Sequence, residues 1–412
     1  MATLTSFDPA MKQLHKPEMV EVLTYEDRPM LGWLPKKEDF YGRNMPIPLL
    51  YANTQGRSHT FATAQNNVTD SKWEDFLLTR SNNHSLAHID GETAEATMNE
   101  KGAFVRAMKK EVDSAYNSLA DSLESEIPRA GTGSIGQVSS GSTITAQTVT
   151  LANINEASNF EPGMTVKLSG TEGGALRAGS EVIAKVNRRT GVLTATSAQW
   201  DTAITAAAAS DYIHIDGDGQ DAGTKVAITG WAAWYPATDP SAGESFFGVD
   251  RSTDGRLWGT YHDGSAQLVE EALIDGQSKA ATEGGKPDTV FLHNSQYRKL
   301  VKQLGSKKEY CQVEAMGAGG MVARVSYRGV MVDGDKGPLT VVAANKCQPS
   351  IAFALERKSN CLASIGKATK VNDLDGVGKY LRRSNADGVE TRLVSRANVG
   401  SKAPIRNAHI AL

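Results

Sequence analysis

Gly131, Gly133 and Gly136 spell GxGxxG, the pattern whose missing side chains let backbone wrap a pyrophosphate when it joins a strand to a helix. Here it follows a long helical pattern and precedes threonine-rich alternation, so the context is reversed and a flexible linker is expected. Asp216, Asp218 and Asp221 in DGDGQD resemble the acidic opening of a calcium loop, but Gln220 holds the fifth position and Ala227 the twelfth, where a bidentate glutamate is required. They read as a solvated turn, and Asp333 and Asp335 in VDGDKGP read as a hairpin turn. His59, His84, His88, His214, His262 and His293 form no HExxH or HxH set, and no GxSxG elbow occurs. Cys311, Cys347 and Cys361 are odd in number and lack CxxC spacing, so neither a disulfide framework nor a zinc site is indicated. Trp231 and Trp234 in WAAWYP suit either a carbohydrate platform or, more commonly, a packing cluster at a domain junction. The chain is therefore not expected to be an enzyme. No catalytic, cofactor-binding or metal-ligating residue is assigned, and no cofactor is expected.

The elements that would position chemistry are more telling than these fragments. From Glu92 to Ile127 there is no proline and one glycine, and apolar residues recur at Val105, Met108, Val112, Tyr116, Leu119, Leu123 and Ile127. Steps of three and four mark one apolar stripe on one helix, set against a polar face of Lys109, Lys110, Asp113, Asn117, Asp121 and Glu124. Asp90 is a candidate N-cap, and Pro128 followed by Gly131 and Gly133 ends the pattern. Gly102 is its weak point, where the helix is able to start or bend. At 1.5 Å per residue such a helix spans about 54 Å, the length of a strut.

Ahead of it, Pro9, Pro17, Pro29 and Pro35 punctuate a stretch that reads as an extended arm. Then MPIPLLYAN from Met45 and WEDFLLTR from Trp73 flank a polar segment, the signature of two strands around a long exposed turn, with Pro46 and Pro48 confining the first strand to an edge. Residues 131–230 carry only 15 charged side chains and alternate at Met164, Val166, Leu168 and at Val182, Ala184, Val186, with a turn at NRRTG from Asn187. This composition shift marks a small β-rich domain inserted in a larger fold. After Phe246 the pattern becomes mixed, with helices around Leu268–Leu273 and Tyr297–Leu304, a buried strand at Thr289–His293, and strands at 322–332, 339–344, 351–356 and 389–397. A net charge of −3 over 412 residues argues against a dedicated nucleic-acid binder. The absence of an 18-residue apolar run points to a chain without membrane spans, and nothing at residues 1–20 resembles a signal peptide.

Four stretches carry a resemblance to a known family: LPKKEDFYGRNMPIPLLYANTQGRSHTFATAQ from Leu34, SFFGVDRSTDGRLWGTYHDGS from Ser245, EEALIDGQSKAATEGGKPDTVFLHN from Glu270, and ADGVETRLVSRANVGSKAPIRNAHIAL from Ala386. The chain resembles the major capsid proteins of tailed double-stranded DNA bacteriophages. What this implies is an α+β subunit of the Hong Kong 97-type capsid fold, with a long spine helix, an extended β-hairpin loop and an inserted β-rich domain. By similarity, residues 1–44 form an N-terminal arm and 45–89 the extended loop. Residues 90–140, 229–255 and 386–412 form the peripheral domain, 141–228 the insertion domain and 256–385 the axial domain.

The resemblance further implies a late structural protein that self-assembles as pentamers and hexamers into the icosahedral head shell, in the virion, after synthesis in the bacterial host cytoplasm. Its partners would be copies of itself, a separate scaffolding protein, the portal protein, a decoration or cement protein, and packaged double-stranded DNA contacted without sequence preference, with no membrane. No lysine lies between Lys37 and Lys72, so the loop-lysine cross-link of some relatives is not expected. An encapsulin-like compartment shell protein, and more distantly a β-rich carbohydrate-binding or hydrolytic protein, are the alternatives.

Overall fold

A computed structural model describes residues 28–92, 101–197, 199–219, 226–304, 330–372, 381–382 and 387–412. Two six-stranded sheets form the body, a third lies in the insert, and a two-stranded hairpin extends from the body. The first body sheet is built on Gly388–Ser401, a 14-residue strand. Ser81–Asp90 pairs with it antiparallel along its whole length, from Gly388↔Asp90 to Ala397↔Ser81. Asn360–Ser364, Lys370–Val371, Leu381–Arg382 and, in parallel with Asn360–Ser364, Lys36–Lys37 complete it. Segments more than 300 residues apart in sequence thus share one sheet.

The long helix lies on that sheet. A helical turn opens at Gly91, directly after the strand ends at Asp90. Residues 93–100 are outside the described residues, and the helix then runs Lys101–Glu126, so Gly102 is inside it. The side chains of Val105, Met108, Lys109 and Lys110 lie outside the described set. Further on, Ala115 and Leu119 pack with Ala87 and Leu393 of the sheet, while Leu123 and Ile127 enter the main core. Two expected positions are corrected. Tyr116, assigned to the stripe, is exposed; Ala115, one residue earlier, takes the contact because a methyl lets helix and sheet approach. Glu124, assigned to the wet face, is buried and accepts the N–H groups of Met30 at 2.9 Å and Leu31 at 2.7 Å.

Those contacts correct a third expectation. The stretch read as extended arm is packed from residue 28: Met30, Leu34 and Phe40 are fully buried, and Pro29–Trp33 forms a helical turn. Residues 1–27 lie outside the described residues.

The second body sheet has the order Thr260–Asp263, Ala408–Ala411, Ile351–Leu355, Thr289–Leu292, Gly337–Ala343, Val330–Gly334. Its central strand Thr289–Leu292 is buried at every position, as a near-continuous apolar run requires, and pairs parallel on one side and antiparallel on the other. Helices Val269–Thr282 and Asn294–Leu304 pack against it. Asp335 and Lys336 form the two-residue turn between its last strands, the hairpin turn expected of VDGDKGP. The expected strand start at 322 falls outside the described residues.

The insert has a sheet of order Ser134–Gln137, Tyr212–Ile215, Thr165–Ser169, Glu181–Asn187, Val192–Ala195, Thr148–Thr150, and its own hydrophobic core. One strand faces the other way from the expectation. Ile183 is fully buried while Val182 and Ala184 are exposed, and a register shift between Ile183 and Lys185 restores Val186 to the core side. The NRRTG turn is as expected: Asn187 Oδ1 accepts from Arg189 N and Thr190 N, and Gly191 has φ 69°.

Candidate functional site

The fragments that suggested chemistry do not converge on a catalytic centre. Ser169 Oγ lies 2.7 Å from His214 Nε2, both fully buried, and the half-buried Ser295 Oγ lies 2.8 Å from His293 Nδ1; burial lowers both histidine pKa values so that the rings stay neutral. A nucleophile needs access, which Ser169 lacks, and at Ser295 the same His293 Nδ1 also accepts the Ser295 backbone N–H at 3.1 Å, the geometry of a local turn. His59, His84 and His88 are on the surface, and His262 is engaged with Gln267 at 2.8 Å. Among the described residues no group of three or more His, Cys, Asp or Glu is arranged to hold a metal ion. Cys347 and Cys361 are separate, buried thiols, and Cys311 lies outside the described residues. No described helix is long and apolar enough to cross a membrane.

Trp231 and Trp234 are both fully buried. Trp231 stacks on Phe291 with centroids 5.3 Å apart, and Trp234 meets Phe76 edge-on at 5.2 Å. They are the packing cluster at a junction, and the carbohydrate platform is excluded.

That cluster anchors the hairpin formed by Met45–Ala52 and Lys72–Leu78. On its inner face Ile47, Tyr51, Phe76 and Leu78 are buried in the main core. Backbone contacts fix its base: Leu77 N donates to Phe247 O at 2.9 Å, Arg256 Nη1 to Tyr51 O at 2.7 Å, and Arg80 Nη1 to Phe40 O at 3.1 Å. Phe247 holds φ 50°, a costly conformation for an aromatic residue, with Gly248 next to it at φ 92°. Together they make the tight turn Phe246↔Val249 that presents the Phe247 carbonyl to the hairpin. Arg251 braces this turn from beneath, its guanidinium 3.8 Å from the Phe246 ring centroid and donating to Ala233 O at 2.7 Å.

The outer face of the hairpin is different. Pro46 pairs with Leu77, Pro48 with Asp75 and Leu50 with Trp73, and all six side chains are exposed. Toward the tip Phe61 is 81% exposed, Val68 64% and Trp73 60%, and the short helix Phe61–Asn66 buries nothing. A rigid base thus carries an apolar arm that the described residues of its own chain leave uncovered.

The GxGxxG and DGDGQD fragments meet at the root of the insert. Gly131 and Gly133 have φ 76° and 74°. A Cβ on Gly133 would lie 1.9 Å from the Asp218 carbonyl, so glycine serves close backbone approach, not a phosphate. Asp216 faces Lys167 at 3.0 Å, whereas Asp218 turns inward, and Asp221 is outside the described residues. Asp216 and Asp218 therefore do not share a cation. Sequence reasoning did not foresee Glu126 and Arg129 here. Arg129 is buried and donates to the carbonyls of Ser125, Ser134 and Ile135. Glu126 accepts from Ser122, Asn83 and the Ile228 amide, tying helix, sheet and returning chain together.

No protein-family model matches the sequence, and no curated protein matches it. Solved structures do. The capsid asymmetric unit of cyanophage A-1(L) aligns over 100% of this chain and 99% of that one, at 11% identity and TM-score 0.59. An empty GTA particle capsid aligns at 7% identity and TM-score 0.49 over 100% and 97%. The holo-SrpI encapsulin of Synechococcus elongatus PCC 7942 aligns at 6% and 0.46 over 100% and 95%. The first of these, end to end on both chains, shows that this chain has a phage-capsid fold, the Hong Kong 97-type architecture expected from the resemblance.

Proposed function

We propose that this chain is a major capsid protein, many copies of which close into the icosahedral head shell of a tailed bacteriophage around its double-stranded DNA. The observation that carries the reading is the outer hairpin: its root is bonded into the body, and its outward face exposes Leu50, Phe61, Val68, Trp73 and Leu77. Covering that surface with a neighbouring copy would remove apolar area from water at each contact, and many modest contacts sum through multivalency while misplaced subunits can still leave. Assembly, not chemistry, is the activity.

On this reading residues 1–44 are the arm and 45–89 the extended loop, whose closing strand Ser81–Asp90 pairs with Gly388–Ser401 of the peripheral sheet. The long helix is the peripheral spine, the sheet centred on Thr289–Leu292 is the axial domain, and Ala408–Ala411 is the terminal strand added to it. The insert, expected at 141–228, is here extended to include Ser134–Gln137, which pairs within its sheet, and is a folding or contact module. A separately encoded scaffold, a portal, a decoration protein and non-specific contact with packaged DNA complete the expected partners in the host cytoplasm and virion.

Trp73→Asp tests the reading. Trp73 is exposed in the single subunit, so the variant keeps the wild-type melting temperature, yet co-expression with a scaffold yields no closed particles by electron microscopy where the wild type does. Normal particles from Trp73→Asp, or no particles from the wild type under any condition, would overturn it. Uniform wild-type shells formed without a scaffold would instead favour an encapsulin-like compartment.

A further inference from the structure

Two carboxylates line one small cavity where the insert leaves the body. Glu126 reaches it from the end of the long helix and Asp218 from the returning segment, with Ser122, Ser125, Arg129 and Gly133 around them. The cavity holds about 10 Å³ of water-sized space, the size of one water molecule and not of a hydrated ion. The outgoing and returning chains touch backbone to backbone here. A Cβ on Gly131 would lie 3.1 Å from the Thr229 Cα, and one on Gly230 would lie 2.2 Å from the Ile127 carbonyl. Opening the root therefore requires these two segments to part.

Among the charged groups facing the pair, Arg129 acts on Glu126 in the opposite direction to burial, but burial is the larger effect. Arg129 lines the same cavity, but its guanidinium donates to the Ser125, Ser134 and Ile135 carbonyls. Glu156 and Glu172 of the insert act on Arg129 from the far side, and the Cys347 thiol of the body is raised by burial to about 12 and stays neutral. His214, on the strand before Asp218, is kept neutral by burial, and Asp216 pairs outward with Lys167. Glu126 is held by neutral donors only: Ser122 Oγ, Asn83 Nδ2 and Ile228 N.

We propose that Glu126 and Asp218 form a proton-controlled latch at the root of the insert, closed while the pair carries a proton and loosened when both are ionised. Burial, and then the Glu126 charge, raises Asp218 from 3.8 to about 7, and burial raises Glu126 as well. Because the closed form binds the proton more tightly than an open, solvated root, closure is complete at acid pH. It weakens as pH rises from about 4 and has lost its full proton contribution above about 7. The inference concerns the subunit alone and holds whether or not the chain builds a shell.

Hydrogen–deuterium exchange of the full-length chain at pH 5.5 and 8.5, corrected for the pH dependence of chemical exchange, tests it. The Ile228 amide, which donates to Glu126, and the Trp231 amide, which donates to Ile127 O, report on closure. Protection over 226–231 should fall on the order of tenfold or more at the higher pH in the wild type, since each unit of pKa difference is a tenfold change in the equilibrium. Asp218→Asn should keep its acid-pH protection at both values, and Asp216→Asn should follow the wild type. Where Asp218→Asn fails to fold, Asp218→Ala replaces it with the same expectation. Equal protection of the wild type at both pH values, or the same fall in the Asp218 variant, would overturn the latch.

Discussion

Glu124 shows how a single residue departs from its helical pattern. It sits on the side that periodicity assigns to water, yet its carboxylate caps the first turn of Pro29–Trp33 through two backbone N–H groups. Burial raises its pKa to about 7, against the lowering effect of those bonds and of Arg28. With a folded value above the unfolded one, its proton-linked contribution is complete below about pH 4.5 and is lost as pH rises toward 7. Glu124→Gln removes that titration. Urea unfolding should therefore show the variant gaining on the wild type by about 3 kcal/mol between pH 4.5 and pH 8; a constant difference would mean that Glu124 is ionised throughout. Gly133 departs from its motif in a similar way. The phosphate-loop spelling is incidental, because its missing side chain is filled by the Asp218 carbonyl.

At the scale of elements, the long helix and the insert strand Glu181–Asn187 had apolar patterns from which a face was assigned. For the helix, Leu119 is buried against Ala87 and Leu393, and Leu119→Asp should cost about 4 kcal/mol by placing an unpaired carboxylate there. Asp113→Ala, on the exposed side, should change stability by less than about 0.5 kcal/mol. Equal effects in urea unfolding would reverse the face. For the strand, EVIAKVN offers Val182, Ile183, Ala184 and Val186, and alternation alone permits either side. The bulge after Ile183 chooses it. Ile183→Asp should unfold the insert, whereas Val182→Asp should leave its melting unchanged by circular dichroism. The helix was legible because its stripe extends over several turns; the strand was not, because a one-residue shift exchanges faces and the sequence does not mark the bulge.

The whole molecule is two body sheets, a spine helix, an outreaching hairpin and a domain on a narrow root. Since the insert has its own sheet and its own core, a fragment spanning 131–229 should melt cooperatively by itself. The body, closed by a short linker between residues 130 and 230, should remain folded. A fragment with no thermal transition would show that the insert depends on its root contacts. The body sheets behave differently: Lys36–Lys37, Ser81–Asp90, Asn360–Ser364 and Gly388–Ser401 join one sheet from both ends of the chain, so truncation at either end should prevent folding and not merely trim it.

By itself the sequence determined what depends on local pattern. The long helix, the proline-marked edge hairpin, the low-charge β-rich insert and the central buried strand at Thr289–Leu292 all follow from periodicity, turn residues and composition, and the four resembling stretches pointed to the capsid fold. Only the tertiary structure decided what depends on segments distant in sequence. It packed residues 28–40 onto the core, placed Ser81–Asp90 with Gly388–Ser401, buried Glu124, and brought Glu126, Arg129 and Asp218 to one root. The reason is physical. A helix or a turn is set by interactions within a few residues, whereas a sheet partner, a buried carboxylate and a shared cavity are set by whichever distant segment arrives to satisfy the backbone and fill the space.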